Sequence, residues 1–156
     1  MANPARPGTI GAARGGVRNM PERAANLRAD LILKAMIAVA SADAGGLEDS
    51  EVGLMQQVYQ DQAKRPITRE EIAEVAEATT RDGLLAELSA AAPVLDRETK
   101  EEIIRAAYLT LIADDRIAAE ERKKLKDIAM ALRVPEIHFG AILEDLALWL
   151  EEQKAK

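Results

Sequence analysis

The sequence predicts an all-α protein, a compact bundle of about seven helices. Its hydrophobic fraction is 48% but its aromatic fraction is only 3%, so the core must consist mainly of Ala, Leu, Ile, Val and Met. These residues suit helix bundles, whereas sheets draw on aromatic and β-branched residues in short alternating runs. Apolar residues recur at helical spacing between short turn signals. For 156 residues, one helical domain is therefore expected.

Charge is distributed unevenly along the chain. Residues 1–28 contain five Arg and one Glu, whereas the remainder carries 16 basic and 26 acidic side chains. Residues 1–20 are rich in Pro and Gly and poor in large apolar groups, so we expect a flexible basic tail there and a helical domain over residues 21–156. As an alternative, this tail is an arm that contacts an anionic partner through Arg6, Arg14 and Arg18.

The composition also bears on location and on partner class. The acidic domain should repel nucleic acid. No apolar run approaches the ~18 residues of a spanning helix, so no transmembrane segment is predicted. Because the N-terminus also lacks the apolar stretch of a signal peptide, the cytoplasm is the expected location.

The first two helices are predicted from periodicity and from a glycine break. Pro21 favours a first helical turn, and apolar residues at helical spacing carry that helix to about Ala42. After Gly45 and Gly46, a second helix is expected from Asp49 to about Gln62. The inward positions are expected to be Leu27, Leu31, Ile32, Met36 and Val39 in the first helix, and Val52, Met55, Val58 and Tyr59 in the second.

Capping residues define the next two helices. Thr68 and Glu71 stand at the spacing of a capping box, which predicts a third helix that runs to about Ala78. Residues 81–83, Arg-Asp-Gly, predict a short turn. The leucines that follow indicate a fourth, short helix that ends before Pro93.

Three longer helices complete the predicted bundle. Asp96 is a suitable cap for a fifth helix that ends at Asp114, and a sixth helix is expected over residues 118–132. Pro135 opens a seventh helix. The predicted packing face of this last helix consists of Ile137, Ile142, Leu143, Leu146, Trp149 and Leu150.

An internal repeat relates two of the predicted turns. In each copy an apolar helix ends in Ala-Asp, an aliphatic residue follows the turn, and a glutamate stands four residues later at the start of the next helix. The first copy has one extra turn residue, a glycine. The matched positions are Asp43, Leu47 and Glu51 in the first copy, and Asp114, Ile117 and Glu121 in the second.

This pattern resembles the TerB-like family of tellurite-resistance proteins, whose halves each carry an Ala-Asp-Gly, aliphatic, Glu signature between two helices. The resemblance covers most of residues 31–150. The family's glycine is replaced by Ala44 in the first turn and by Asp115 in the second. The resemblance implies an all-helical, non-enzymatic module in tellurite resistance and stress responses, which binds divalent cations through its acidic turns.

The carboxylates of the two turns have two competing interpretations. Gathered carboxylates repel one another unless a cation lies between them, and Ca²⁺ or Mg²⁺ prefers several oxygen ligands. In the alternative interpretation the glutamates only cap helices, as we expect for Glu71, which has the capping pattern without a preceding Ala-Asp. The candidate metal ligands are Asp43, Glu48, Glu51, Asp114, Asp115 and Glu121.

Little in the sequence favours an enzyme. The absence of cysteine excludes disulfides, thiolate zinc sites and a cysteine nucleophile, and His138 is the only histidine, which we expect to be a partly buried packing residue. A metal-assisted hydrolase that uses the same carboxylates is the enzyme-class alternative. An intracellular protein partner is expected, and the interaction-module alternative places it in an apolar groove near Trp149. The basic run at residues 122–126 is either a solvated face or part of such a surface.

Overall fold

A computed structural model of the chain describes residues 26–40, 47–113 and 119–155, which form seven α-helices without any β-strand. The predicted all-α class is thus confirmed. No helix of these residues is long and apolar enough to cross a membrane. The helices are α1 (26–40), α2 (Asp49–Ala63), α3 (Arg69–Ala78), α4 (Arg81–Ala91), α5 (Arg97–Ala113), α6 (Ala119–Ala131) and α7 (Glu136–Lys154).

Several sequence predictions concern residues outside the ranges that the structure describes. The basic tail at residues 1–20 and the first turn of the predicted first helix lie outside the described residues. So do residues 41–46 and 114–118, which carry most of the two acidic turns. The pseudo-repeat therefore stays a prediction.

Helix α1 supplies the largest share of the core. Consecutive residues of this helix are fully buried, as expected when other helices cover it on several sides. Leu27, predicted to point inward, is instead 44% exposed at the start of the helix. The largest fully buried side chains are Leu31, Ile32, Leu33, Met36 and Ile37 of α1, with Met55, Ile72, Leu84, Leu88, Ile103, Ile104 and Leu125 from α2 to α6.

The predicted capping residues of α3 and α5 act as caps. Thr68 Oγ1 accepts a hydrogen bond from the Glu71 N–H at 3.1 Å, and Glu71 Oε1 accepts one from the Thr68 N–H at 3.0 Å. Asp96 Oδ1 accepts from the Thr99 N–H at 2.8 Å, and the hydrogen bonds from Thr99 lower the pKa of Asp96. Helices α3 and α5 therefore begin directly after the residues whose side chains cap them.

The predicted turn at residues 81–83 is wrong, because these residues form the first turn of α4. Thr80 caps this helix through its Oγ1, which accepts from the Gly83 N–H at 3.0 Å. A Cβ atom at Gly83 would lie 2.7 Å from that same oxygen, so the glycine makes room for the cap and does not break the helix. Arg81 then forms a salt bridge with Asp127 of α6.

Part of the predicted packing face of α7 is also wrong. Ile142 and Leu146 are buried as expected, but Ile137 is 89% exposed and Trp149 is 47% exposed. Ile137 lies on the side of α7 away from the core, because five residues advance a helix by about 140° beyond one full turn. Leu148, exposed at 58%, lies on that same outer side.

Candidate functional site

The start of α2 holds the described part of the first acidic turn. Glu48 stands before the helix and Glu51 in its first turn, where the two form a reciprocal capping box. The Glu51 Oε1 atom accepts a hydrogen bond from the Glu48 N–H at 2.8 Å. Glu51 therefore caps α2 as Glu71 caps α3.

Burial distinguishes these two glutamates. Glu51 is only 1% exposed, whereas Glu71 is exposed although it makes the same kind of cap. The hydrogen bonds from Thr68 lower the pKa of Glu71, so a solvated carboxylate is sufficient for capping. Burial of an ionised carboxylate costs free energy unless opposite charge or hydrogen-bond donors compensate. Capping alone does not require the burial of Glu51.

The side chains of the other predicted metal ligands are outside the part of the chain that the structure describes. Asp43, Asp114 and Asp115 lie outside the described residues, as does the side chain of Glu121. Asp49, beside the first acidic turn, forms a salt bridge with Arg69 of α3, in which its Oδ1 lies 2.7 Å from Arg69 Nη1. Among the side chains that the structure describes, no three acidic or histidine groups are placed to hold a metal ion together.

A groove of about 540 Å³ lies between α5, α6 and α7. Its floor is apolar, and one of its rims carries three cations from the basic run of α6. Two of its lining residues, Leu111 and Arg122, flank the second acidic turn in the sequence. The floor consists of Tyr108, Leu111, Leu125, Phe139, Leu143 and Ala147, and the cationic rim of Arg122, Lys123 and Lys126. One acidic residue, Glu144, also lines the groove.

Trp149 lines a smaller groove of about 280 Å³ on the other side of α7, between this helix and α5. Leu109 and Leu146 contribute to its apolar surface, and its charged lining residues are Glu101, Arg105 and Asp145. An apolar groove near Trp149 is thus present, although the larger groove is the one with Phe139 and Leu143.

His138 belongs to a polar cluster that sequence reasoning did not find. Its side chain is 24% exposed, and its Nε2 lies 3.2 Å from Glu101 Oε2. Arg97 Nε donates to the same oxygen at 3.1 Å, and Arg97 Nη2 lies 3.2 Å from His138 Nδ1. Arg97 and His138 are 41 residues apart, so only the packing of α7 against α5 brings them together.

The comparisons with known proteins leave the family open. The signature that resembles TerB-like proteins depends mainly on residues 41–46 and 114–118, which are outside the described ranges. No protein family, curated protein or solved structure gave a significant match to this chain.

Proposed function

We propose that this chain is a non-enzymatic helical module that binds a divalent cation, Ca²⁺ or Mg²⁺, through its acidic inter-helix turns. The observation that supports this proposal is the burial of Glu51 beside the first of these turns. Hard cations prefer carboxylate oxygens, and the low-dielectric surroundings of a buried carboxylate strengthen its attraction to a cation. By its resemblance to TerB-like proteins, the module would act in a cytoplasmic tellurite or stress response.

The proposed mechanism couples a cation to helix geometry. A carboxylate has about four lone-pair positions, so the capping bond that Glu51 accepts is compatible with cation ligation. A cation that joins Glu51 to Asp43 would fix the angle between α1 and α2. The second turn would do the same for α5 and α6 through Asp114 and Glu121. Because the chain has no cysteine, direct reduction of tellurite by a thiol of this chain is excluded, so any role in resistance is indirect.

Glu51→Gln is expected to weaken Ca²⁺ or Mg²⁺ binding at the first turn by at least about tenfold, equivalent to ~1.4 kcal/mol. Glutamine keeps an oxygen that can accept the Glu48 N–H but loses the charge that attracts the cation. The measurement is an amide-resolved NMR titration of the metal-free protein with each ion at physiological salt. Saturable shifts are expected at residues 47–51.

Glu71→Gln is the matched control, since Glu71 caps α3 in the same way without a preceding Ala-Asp. Its cation affinity should equal that of the unmodified chain. For the second turn, the corresponding variant combines Asp114→Asn with Glu121→Gln. Absence of saturable shifts, or equal affinities for all these variants, would leave helix capping as the function of the acidic residues.

The groove between α5, α6 and α7 favours a second candidate, an interaction module for an intracellular protein. Tyr108, Phe139 and Leu143 remain partly exposed on its floor. An amphipathic helix commonly binds an apolar groove through its apolar face. Since Arg122, Lys123 and Lys126 form the rim, the fitting helix is one with acidic residues beside its apolar face.

Binding of a synthetic amphipathic peptide of Leu and Glu tests this candidate by fluorescence anisotropy. The double variant Arg122→Glu, Lys123→Glu should lose at least about tenfold in affinity, because two of the three positive charges of the rim are reversed. Lys154→Glu, at the exposed end of α7, is the control and should bind as the unmodified chain does. Equal binding by both variants would exclude this rim as the docking surface.

A further inference from the structure

We propose that a pocket between the first turns of α5 and α7 binds the phosphate group of a phosphate monoester. The cavity measures about 390 Å³, which is within the range of small-molecule sites. We name it the basic pocket. It is lined by Arg97, Lys100, Glu101, Arg133 and His138, with Val134 and Pro135.

The basic pocket is lined mainly by basic residues, although the molecule as a whole is negatively charged. The whole chain carries a net charge of −6, yet this cavity gathers two Arg, one Lys and one His around a single carboxylate. Glu101 contacts Arg97 and His138. Lys100 and Arg133, in contrast, form no ion pair with any residue in the described ranges. Like charges that line one cavity repel one another, so an anion bound among them would be favoured.

The chemistry of the cations favours phosphate. Guanidinium groups present several N–H donors in a planar fork that matches phosphate oxygens, and lysine adds a point charge. The Arg97 side chain is 75% exposed, but its Nε bond to Glu101 at 3.1 Å and its Nη2 contact with His138 Nδ1 at 3.2 Å orient the guanidinium before a ligand arrives. Preorganised donors reduce the entropy that binding costs.

Arg133 stands at an unusual backbone position. Its φ is 62°, in the left-handed region that favours glycine, at the turn that ends α6. Arginine occupies this position although glycine would fit there with less strain. This turn places Arg133 in the lining of the basic pocket, together with residues of α5.

The start of α7 adds donors to the same pocket. Pro135 precedes this helix and provides no side-chain cap, and both Pro135 and His138 line the cavity. The N–H groups at the start of a long helix, together with its dipole, attract anions. The helix start supplements the cationic side chains and would not by itself make a phosphate site.

The test compares two basic residues, Arg133 and Lys64, that both adopt a left-handed backbone conformation at the end of a helix. Lys64 ends α2 with a φ of 61°, as Arg133 ends α6 with 62°. Glycine is favoured at both positions, so Arg133→Gly and Lys64→Gly should each fold. Titration of the full chain with inorganic phosphate at low ionic strength is followed by amide shifts. Arg133→Gly should bind at least about tenfold more weakly, whereas Lys64→Gly should bind as the unmodified chain does.

A loss of the same size in both variants would overturn the proposal, since it would show general electrostatic attraction and no defined site. Absence of saturable shifts at Lys100 and His138 would also overturn it. A second variant, Lys100→Gln, removes the other cation without an ion pair and should weaken phosphate binding as well.

Two probes distinguish the source of the phosphate group. Glycerol phosphate represents a soluble ligand, and vesicles that contain phosphatidic acid represent a lipid headgroup. Arg133-dependent binding of glycerol phosphate would assign the pocket to a soluble monoester. Arg133-dependent binding of the vesicles alone would assign it to the headgroup. Failure of both probes to bind would contradict a phosphate-monoester site.

Discussion

Leu88→Ala should lower the free energy of unfolding by about 2–5 kcal/mol. Leu88 is fully buried in α4, a helix that packs against α6. Truncation removes apolar surface from the core and leaves a cavity that neighbouring helices can fill only in part. Domains are commonly stable by about 5–15 kcal/mol, so this one change would remove a large fraction of the total. Urea unfolding followed by far-UV circular dichroism measures it.

Leu148→Ala is the matched control for that truncation. The same atoms are removed, but from a side chain that is 58% exposed on the outer side of α7. The expected change is within about 0.5 kcal/mol, as for most surface substitutions. Equal losses for the two variants would contradict the assignment of Leu88 to the core and of Leu148 to the surface.

Glu51→Ala should lower the free energy of unfolding by about 1–3 kcal/mol in metal-free buffer. The Glu48 N–H loses the acceptor that Glu51 Oε1 provides at 2.8 Å, at the point where α2 begins. Because Glu51 is only 1% exposed, water cannot replace that acceptor without entering the protein. The measurement is again urea unfolding, with a chelator present to remove bound cations.

Glu71→Ala provides the comparison for Glu51→Ala. Glu71 makes the equivalent capping bond to the Thr68 N–H but stands in solvent, where water readily takes its place. The loss should therefore be clearly smaller. If Glu71→Ala were as costly as Glu51→Ala, burial would not be what distinguishes the two caps.

Cation binding and capping can then be separated by the effect of Ca²⁺ or Mg²⁺ on unfolding. A ligand that binds only the folded state raises the free energy of unfolding by an amount set by its concentration and its dissociation constant. The unmodified chain should gain stability on addition of the ion, whereas Glu51→Gln should gain much less. A capping role alone predicts no gain for either protein.

The sequence by itself determined the all-α class and most helix boundaries. Thr68, Asp96 and Pro135 mark helix starts in the sequence, and helices begin there in the structure. The reason is that these signals are local: the caps of Thr68 and Asp96 join residues three positions apart, and the fixed φ of proline favours the start of a helix. The exception is α4, where the sequence predicts a turn at Gly83 but the Gly83 N–H donates to the capping Thr80 Oγ1 in the first turn of the helix.

Only the tertiary structure decided what surrounds each local motif. Glu51 and Glu71 occupy the same position in the same capping motif, yet one is buried and the other exposed. His138 contacts Glu101, 37 residues away in the sequence, and the basic pocket exists only where α5 and α7 meet. Burial and charge environment depend on which helices pack together, and that is decided by contacts between residues distant in the sequence.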